Sequence, residues 1–313
     1  MWDIALPVLY AAFVWWFATG VILLLVGRPR WTYGWSMAGA TVLLMVALGG
    51  VTISGAMTDE RGAYLGFTAA ILAWGWLEMA FLMGFVTGRR PPVRSEPAGS
   101  WRHFVDAIAA IIDHELSLIA GAVVVIGLSW GQPNQVAAWT FLALWGMRQS
   151  AKLNLHFGVR NLNDELLPPH LQHLRIYLRR RTMNPLFPVS IAIGTAICAL
   201  VAARAVGPAS DSFEAVGLTL LATMLALGVF EHWMMILPLP VNDLWRWSLR
   251  GRGSNIEPAS SGAVSDMLSV SESARVHVCS TPPAWQAARR RTRSDAPIFA
   301  GRTRRPFRAP WRP

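Results

Sequence analysis

Eight ionisable side chains interrupt sequence that is otherwise apolar: Glu78, Asp113, His114, Glu115, Arg148, Lys152, Glu231 and His232. A charge at the centre of a membrane helix costs about 2.5–3.5 kcal/mol, so such groups persist where they pair, line a cavity or act on something. The plainest reading is structural, with acids and bases neutralising one another and fixing helix packing. A second is ligation: His114 and His232, with Glu231 beside the latter, suit a magnesium tetrapyrrole or a metal. Trp74 and Trp76 near Glu78, and Trp233 beside His232, could then line a flat aromatic pocket, although Trp is also an ordinary interfacial anchor. A third, a di-metal carboxylate centre, needs paired Glu-x-x-His motifs. Phe81, Leu118 and Met234 stand three after Glu78, Glu115 and Glu231, so the motif is absent. A fourth is transport or proton relay through the carboxylate layer. A retinal Schiff base would want lysine in the last span, whereas the single lysine, Lys152, falls in the fifth. No nucleotide loop, nucleophile elbow or zinc motif occurs.

The elements that must position these groups follow from composition. The chain has 313 residues, 53% hydrophobic and 15% charged, against about 25% charged for soluble domains. Its mean hydropathy is +0.37. The expected class is an all-α polytopic membrane protein. Cys198 and Cys279 form no pattern, so neither a disulfide framework nor a cysteine metal site is expected. Seven runs are long enough to cross, at about 20 residues per crossing: 4–26, 35–56, 63–86, 104–128, 133–157, 185–206 and 213–237. The first is too long for a signal-peptide core and lacks a basic start, so it is expected to stay as a span.

Arginine alternates between the loops. It is plentiful in 27–34, 87–103, 158–184 and the tail, and sparse in 57–62, 129–132 and 207–212. By the positive-inside rule this predicts seven crossings, with the N-terminus out (periplasm) and the C-terminus in the cytoplasm. At ~1.5 Å per residue, Asp113, His114 and Glu115 then lie roughly 13–17 Å from the cytoplasmic edge, Glu78 and Arg148 about 12–14 Å, and Lys152, Glu231 and His232 about 8–9 Å. One buried polar layer is expected, with Arg148 and Lys152, four apart on one helix face, shared among the acids. Successive residues turn by about 100°, so Asp113, His114 and Glu115 point three ways. That width of polarity predicts the fourth span to be the most buried.

On the cytoplasmic side, Leu167, Leu171, Leu174 and Leu178 recur at helical spacing beside Arg175, Arg179, Arg180 and Arg181. An amphipathic segment over 164–181 is expected to lie on anionic lipid or dock a partner, presenting His170, His173 and Tyr177. The membrane domain is expected to occupy 1–249. Residues 250–313 are rich in Arg, Ser and Pro without periodicity and read as a disordered basic tail. Nucleic-acid binding is not inferred from it.

The runs WWFATGVILLL, WGWLEMAFLMGFVTG, DHEL, PNQVAAWTFLALWGMRQSAKLN and RRRTMNPLFPVS together resemble the PuhE-type photosynthetic complex assembly proteins of purple phototrophic bacteria, over residues 2–249. The resemblance implies a multi-pass protein of the bacterial inner (cytoplasmic or intracytoplasmic) membrane, without catalysis of its own. It would support assembly of the reaction centre and light-harvesting complex, or regulate pigment supply to it. Its implied partners are reaction-centre or light-harvesting subunits and other assembly factors. No catalytic residue and no metal site carries over, and the one cofactor it suggests is transient bacteriochlorophyll, with His114 and His232 as contacts.

Overall fold

A chain in lipid must satisfy its backbone N–H and C=O groups internally, which apolar runs do by coiling. The structure, a computed structural model, describes residues 2–88, 100–162, 164, 167–208, 211–237 and 241–249. The expected 250–313 tail, with Arg89, Arg90 and Arg94, lies outside the described residues. Among the described residues there is no strand, only an isolated bridge between Val159 and Arg180. The helices are α1 (Trp2–Val26), α2 (Tyr33–Gly55), α3 (Glu60–Leu82), α4 (Trp101–Ala110), α5 (Ile112–Ser129), α6 (Val136–Phe157), α7 (Leu186–Ala205), α8 (Ser212–Met234), α9 (Val241–Leu244) and α10 (Arg246–Leu249). Asp59, Ser100 and Asp211 start α3, α4 and α8 by accepting the N–H of Gly62, His103 and Glu214 at 2.9, 3.1 and 2.7 Å, each satisfying a donor that has no partner within the helix.

Six helices, α1, α2, α3, α5, α7 and α8, are long and apolar enough to cross a membrane. The run expected to cross at 133–157 is helical as the 22-residue α6 but is not among these six. Arg148, Gln149, Lys152, Asn154 and His156 leave α6 outside that apolar set.

The run expected as one helix over 104–128 is two. Ile111, at φ −124° and ψ 12°, separates α4 from α5. Asp113 and Glu115 therefore sit in the first turn of a helix, where the positive end of the helix dipole favours carboxylates. The segment after α3 packs into this break. The His114 N–H points to the Thr87 carbonyl at 3.4 Å. Gly88, at φ +149°, passes so close that a Cβ there would lie 2.6 Å from the Ala110 carbonyl oxygen. Only glycine takes that backbone without strain.

The central helix is α3 and not, as the polar triplet suggested, the fourth run. Within the candidate crossings 61% of the α3 window is buried, against 28% for α5. Ala63, Gly66, Ala69, Ala70 and Ala73 of α3 are buried, and such small residues let neighbouring backbones approach closely. They pack α3 against α1, α2, α5, α6 and α8. Leu9 and Phe13 of α1, Val46 of α2, Val123 of α5 and Ile193 of α7 face outward, as an apolar solvent would require. Trp31, Trp35 and Trp101 are exposed at one end of the helices, and Trp130 and Trp139 at the other, the pattern of interfacial anchors.

After α6, the expected amphipathic α-helix over 164–181 is a 3-10 helix, Pro169–Tyr177. Its three residues per turn align Leu171, Leu174 and Tyr177, and these pack onto Phe81 and Ala110. The apolar face expected to meet lipid is turned into the protein. Tyr177, expected to face the cytoplasm, is only 8% exposed. Burial, and the nearby Asp106, push its phenol above the ordinary pKa.

Candidate functional site

Helices α1, α3, α4, α5, α6 and α8, with the 3-10 segment, line a half-open cavity of about 730 Å³. Its wall is largely apolar, with Trp15, Ile71, Trp74, Phe104, Leu144 and Met224 among the lining residues. One polar strip crosses it: Glu78 from α3, Glu115 from α5, Arg148, Gln149 and Lys152 from α6, and Glu231 from α8. Arg148 donates to Glu78 Oε2 at 3.0 Å. Lys152 and Gln149 both donate to Glu115, at 2.5 and 2.6 Å. Trp15 Nε1 donates to Glu231 Oε1 at 2.7 Å. Thus α6 turns its charged stripe inward, which is why its composition is polar while its place is internal.

Three acids face two bases on this strip. Glu78 and Glu115 each hold a cation, while Glu231 takes its hydrogen bond from a neutral indole. The pairing around Glu78 is incomplete: its Oε1 and the Nε of Arg148 are buried with no hydrogen-bond partner among the described residues.

Five of the eight sequence-predicted residues meet here, and three do not. Asp113 is exposed, because the break at Ile111 resets the helix so that Glu115, not Asp113, faces inward. His114 is fully buried, stacked on Phe81 with ring centroids 4.3 Å apart. Neither of its ring nitrogens has a hydrogen-bond partner among the described residues, but the residue is absent from the cavity wall. His232 has both ring nitrogens engaged: Nδ1 donates to the Gly228 carbonyl at 2.8 Å and Nε2 meets the Ser150 hydroxyl at 2.9 Å. Both nitrogens are thus engaged within the protein, whereas the expected ligand role needs one of them free.

Sequence reasoning missed Trp15, Gln149 and His156, all of which line the cavity. Trp15 gave no signal, because its role depends on α1 lying beside α8. His156 had one: it continues the four-residue spacing of Arg148 and Lys152. Nearby, Asn184 donates to Asn154 Oδ1 at 3.1 Å and to the Gly158 carbonyl at 2.9 Å. Its own Oδ1 accepts from the Leu186 and Phe187 N–H groups, so the end of α6 is tied to the start of α7. Of the four clustered arginines, Arg175 bridges Asp164 at 3.1 Å and Arg180 approaches the same carboxylate at 4.0 Å. Arg180 and Arg181 remain the exposed pair of the RRR run, while Arg179 is half-buried. Among the described residues, no three His, Cys, Asp or Glu side chains gather as a metal site.

Fold and site together define a class: an all-helical protein, with six helices fit to cross a membrane, built around a largely apolar cavity crossed by one charged strip. The chain belongs to the family described as "Protein of unknown function (DUF3623)", matched over residues 1–255. It is also 36% identical over 252 residues to the "Uncharacterized 30.4 kDa protein in puhA 5'region" of Rhodobacter capsulatus, covering 79% of this chain and 90% of that relative. No solved structure matches.

Proposed function

We propose that this protein is an integral inner-membrane assembly factor for the photosynthetic reaction centre and light-harvesting complex, and that its cavity handles a bacteriochlorophyll-type pigment without catalysis of its own. The observation that carries the reading is the cavity: about 730 Å³, largely apolar, with one internal polar strip. Cofactor sites have this character, with volumes of about 300–1,000 Å³ and a few placed polar groups. The photosynthetic context rests on the resemblance and on a relative described by its position 5′ of puhA. In this reading α6 crosses as a seventh span, its charges sheltered by the cavity. The arginine-bearing end faces the cytoplasm, the N-terminus faces the periplasm, and Arg180 and Arg181 meet anionic lipid or a partner.

The test is crosslinking followed by purification in mild detergent from cells grown phototrophically. Reaction-centre or light-harvesting subunits should co-purify, with sub-stoichiometric bacteriochlorophyll. Colourless protein without such a partner would overturn the proposal. The charge imbalance of the strip favours one second reading, proton or solute transfer. Reconstituted vesicles would then show flux that falls in Glu78→Gln.

A further inference from the structure

Resting on the reading that the cavity handles such a pigment, we propose that His156 is the axial ligand, through Nε2, of a magnesium tetrapyrrole seated in this cavity. The tautomer follows from geometry. His156 Nδ1 lies 3.1 Å from the backbone carbonyl of Tyr177. A carbonyl only accepts, so Nδ1 carries the proton and Nε2 keeps its lone pair. A metal-binding histidine is commonly prepared in this way, its other nitrogen donating to a backbone carbonyl that fixes tautomer and ring orientation. No hydrogen bond engages Nε2 among the described residues, and His156 is part of the cavity wall. The two histidines singled out by sequence lack this combination, since His114 is off the wall and both nitrogens of His232 are bonded.

The surroundings hold the imidazole still. The His103 ring stacks on it with centroids 5.6 Å apart, and the Phe104 ring meets its edge at 5.3 Å. His156 is 8% exposed, so its ring is largely shielded. On the same face of α6, Lys152 and Arg148 stand about 6 and 12 Å along the axis. Each is already held by a carboxylate, Glu115 and Glu78 respectively, and with them forms the polar strip that continues along the cavity wall from His156. The step is simple coordination: the Nε2 lone pair fills the open axial position of the magnesium, the Nδ1 proton stays in place, and no group leaves.

Two probes test this on the full-length protein, made in a host without the pigment and held in lipid nanodiscs: zinc pheophorbide a and metal-free pheophorbide a. They share one ring, and only the zinc form takes an axial ligand. The zinc form should bind at least about tenfold more tightly, about 1.4 kcal/mol, quench tryptophan fluorescence and show the band shift of axial ligation. His156→Ala should bring its affinity down to that of the metal-free ring and abolish the shift. His156→Gly with added imidazole should regain the shift, and His114→Phe should keep it. Should His156→Ala fail to fold, His156→Gln makes the same comparison. Equal binding of the two probes would reduce the cavity to an apolar slot and overturn the proposal, as would a shift that survives in the His156 variants. Zinc-selective binding alongside a failed co-purification would sink the assembly role and leave this ligand in place.

Discussion

Within the cavity, side chains of one chemical type have different fates. Asp113 and Glu115 are two residues apart in one helical turn, yet Asp113 is exposed and Glu115 holds Lys152 and Gln149. Asp113→Asn should therefore change thermal stability by no more than about 0.5 kcal/mol. Glu115→Leu should cost more, because it strands Lys152, a cation whose side chain is 19% exposed. Thermal unfolding of the two variants in one detergent checks the contrast, and equal effects would contradict it. Trp15→Phe removes the indole donor to Glu231, a hydrogen bond worth about 1 kcal/mol. The same assay should show that loss. The acids and bases of the layer were legible because charge in an apolar run stands out. Which of Asp113, His114 and Glu115 turned inward was not legible, since that depends on where the helix starts. The choice between histidines was hidden too, because hydrogen-bond partners such as Ser150 and the Tyr177 carbonyl come from other parts of the chain.

At the scale of elements, the departures from expectation share one origin: local breaks within apolar or amphipathic runs. The fourth run reads as continuous by hydropathy, but two acids within one first turn, Asp113 and Glu115, are also a helix-start signal. The break at Ile111 follows that signal. The leucines after α6 fit an α-helical stripe, while Leu171, Leu174 and Tyr177 fit a three-residue period equally well. Packing onto Phe81 and Ala110 selects the second. The break makes Gly88 an informative position. Gly88→Ala would force a Cβ to within 2.6 Å of the Ala110 oxygen at φ +149°. It should destabilise by about 1–3 kcal/mol, with faster amide exchange concentrated over residues 100–115. Unchanged exchange there would mean that the Thr87–Gly88 segment does not key the break.

For the whole molecule, the long apolar helices were legible because each needs only its own composition to be recognised. The six that meet the measure of length and apolarity all correspond to runs visible in the sequence. The identity of the central helix was not legible, because small residues, which carry no polar signal, decide it. The proposed topology has its own check. Single cysteines introduced at Arg175 and at Glu60, in a background lacking Cys198 and Cys279, should react with an impermeant maleimide from opposite sides of oriented vesicles. Labelling of both from one side would contradict seven crossings.

The central claim is that charges from different helices neutralise one another inside the protein, around a cavity. Its most direct measurement is a double-mutant cycle on Glu78 and Arg148 in nanodiscs, using Glu78→Gln, Arg148→Met and the pair, read by thermal unfolding. Contacting residues couple by about 0.5–3 kcal/mol. The expected result is a coupling inside that range, with the double variant more stable than the sum of the singles implies. Strictly additive losses would mean that the two side chains do not meet, and the inward-facing layer would fall with them.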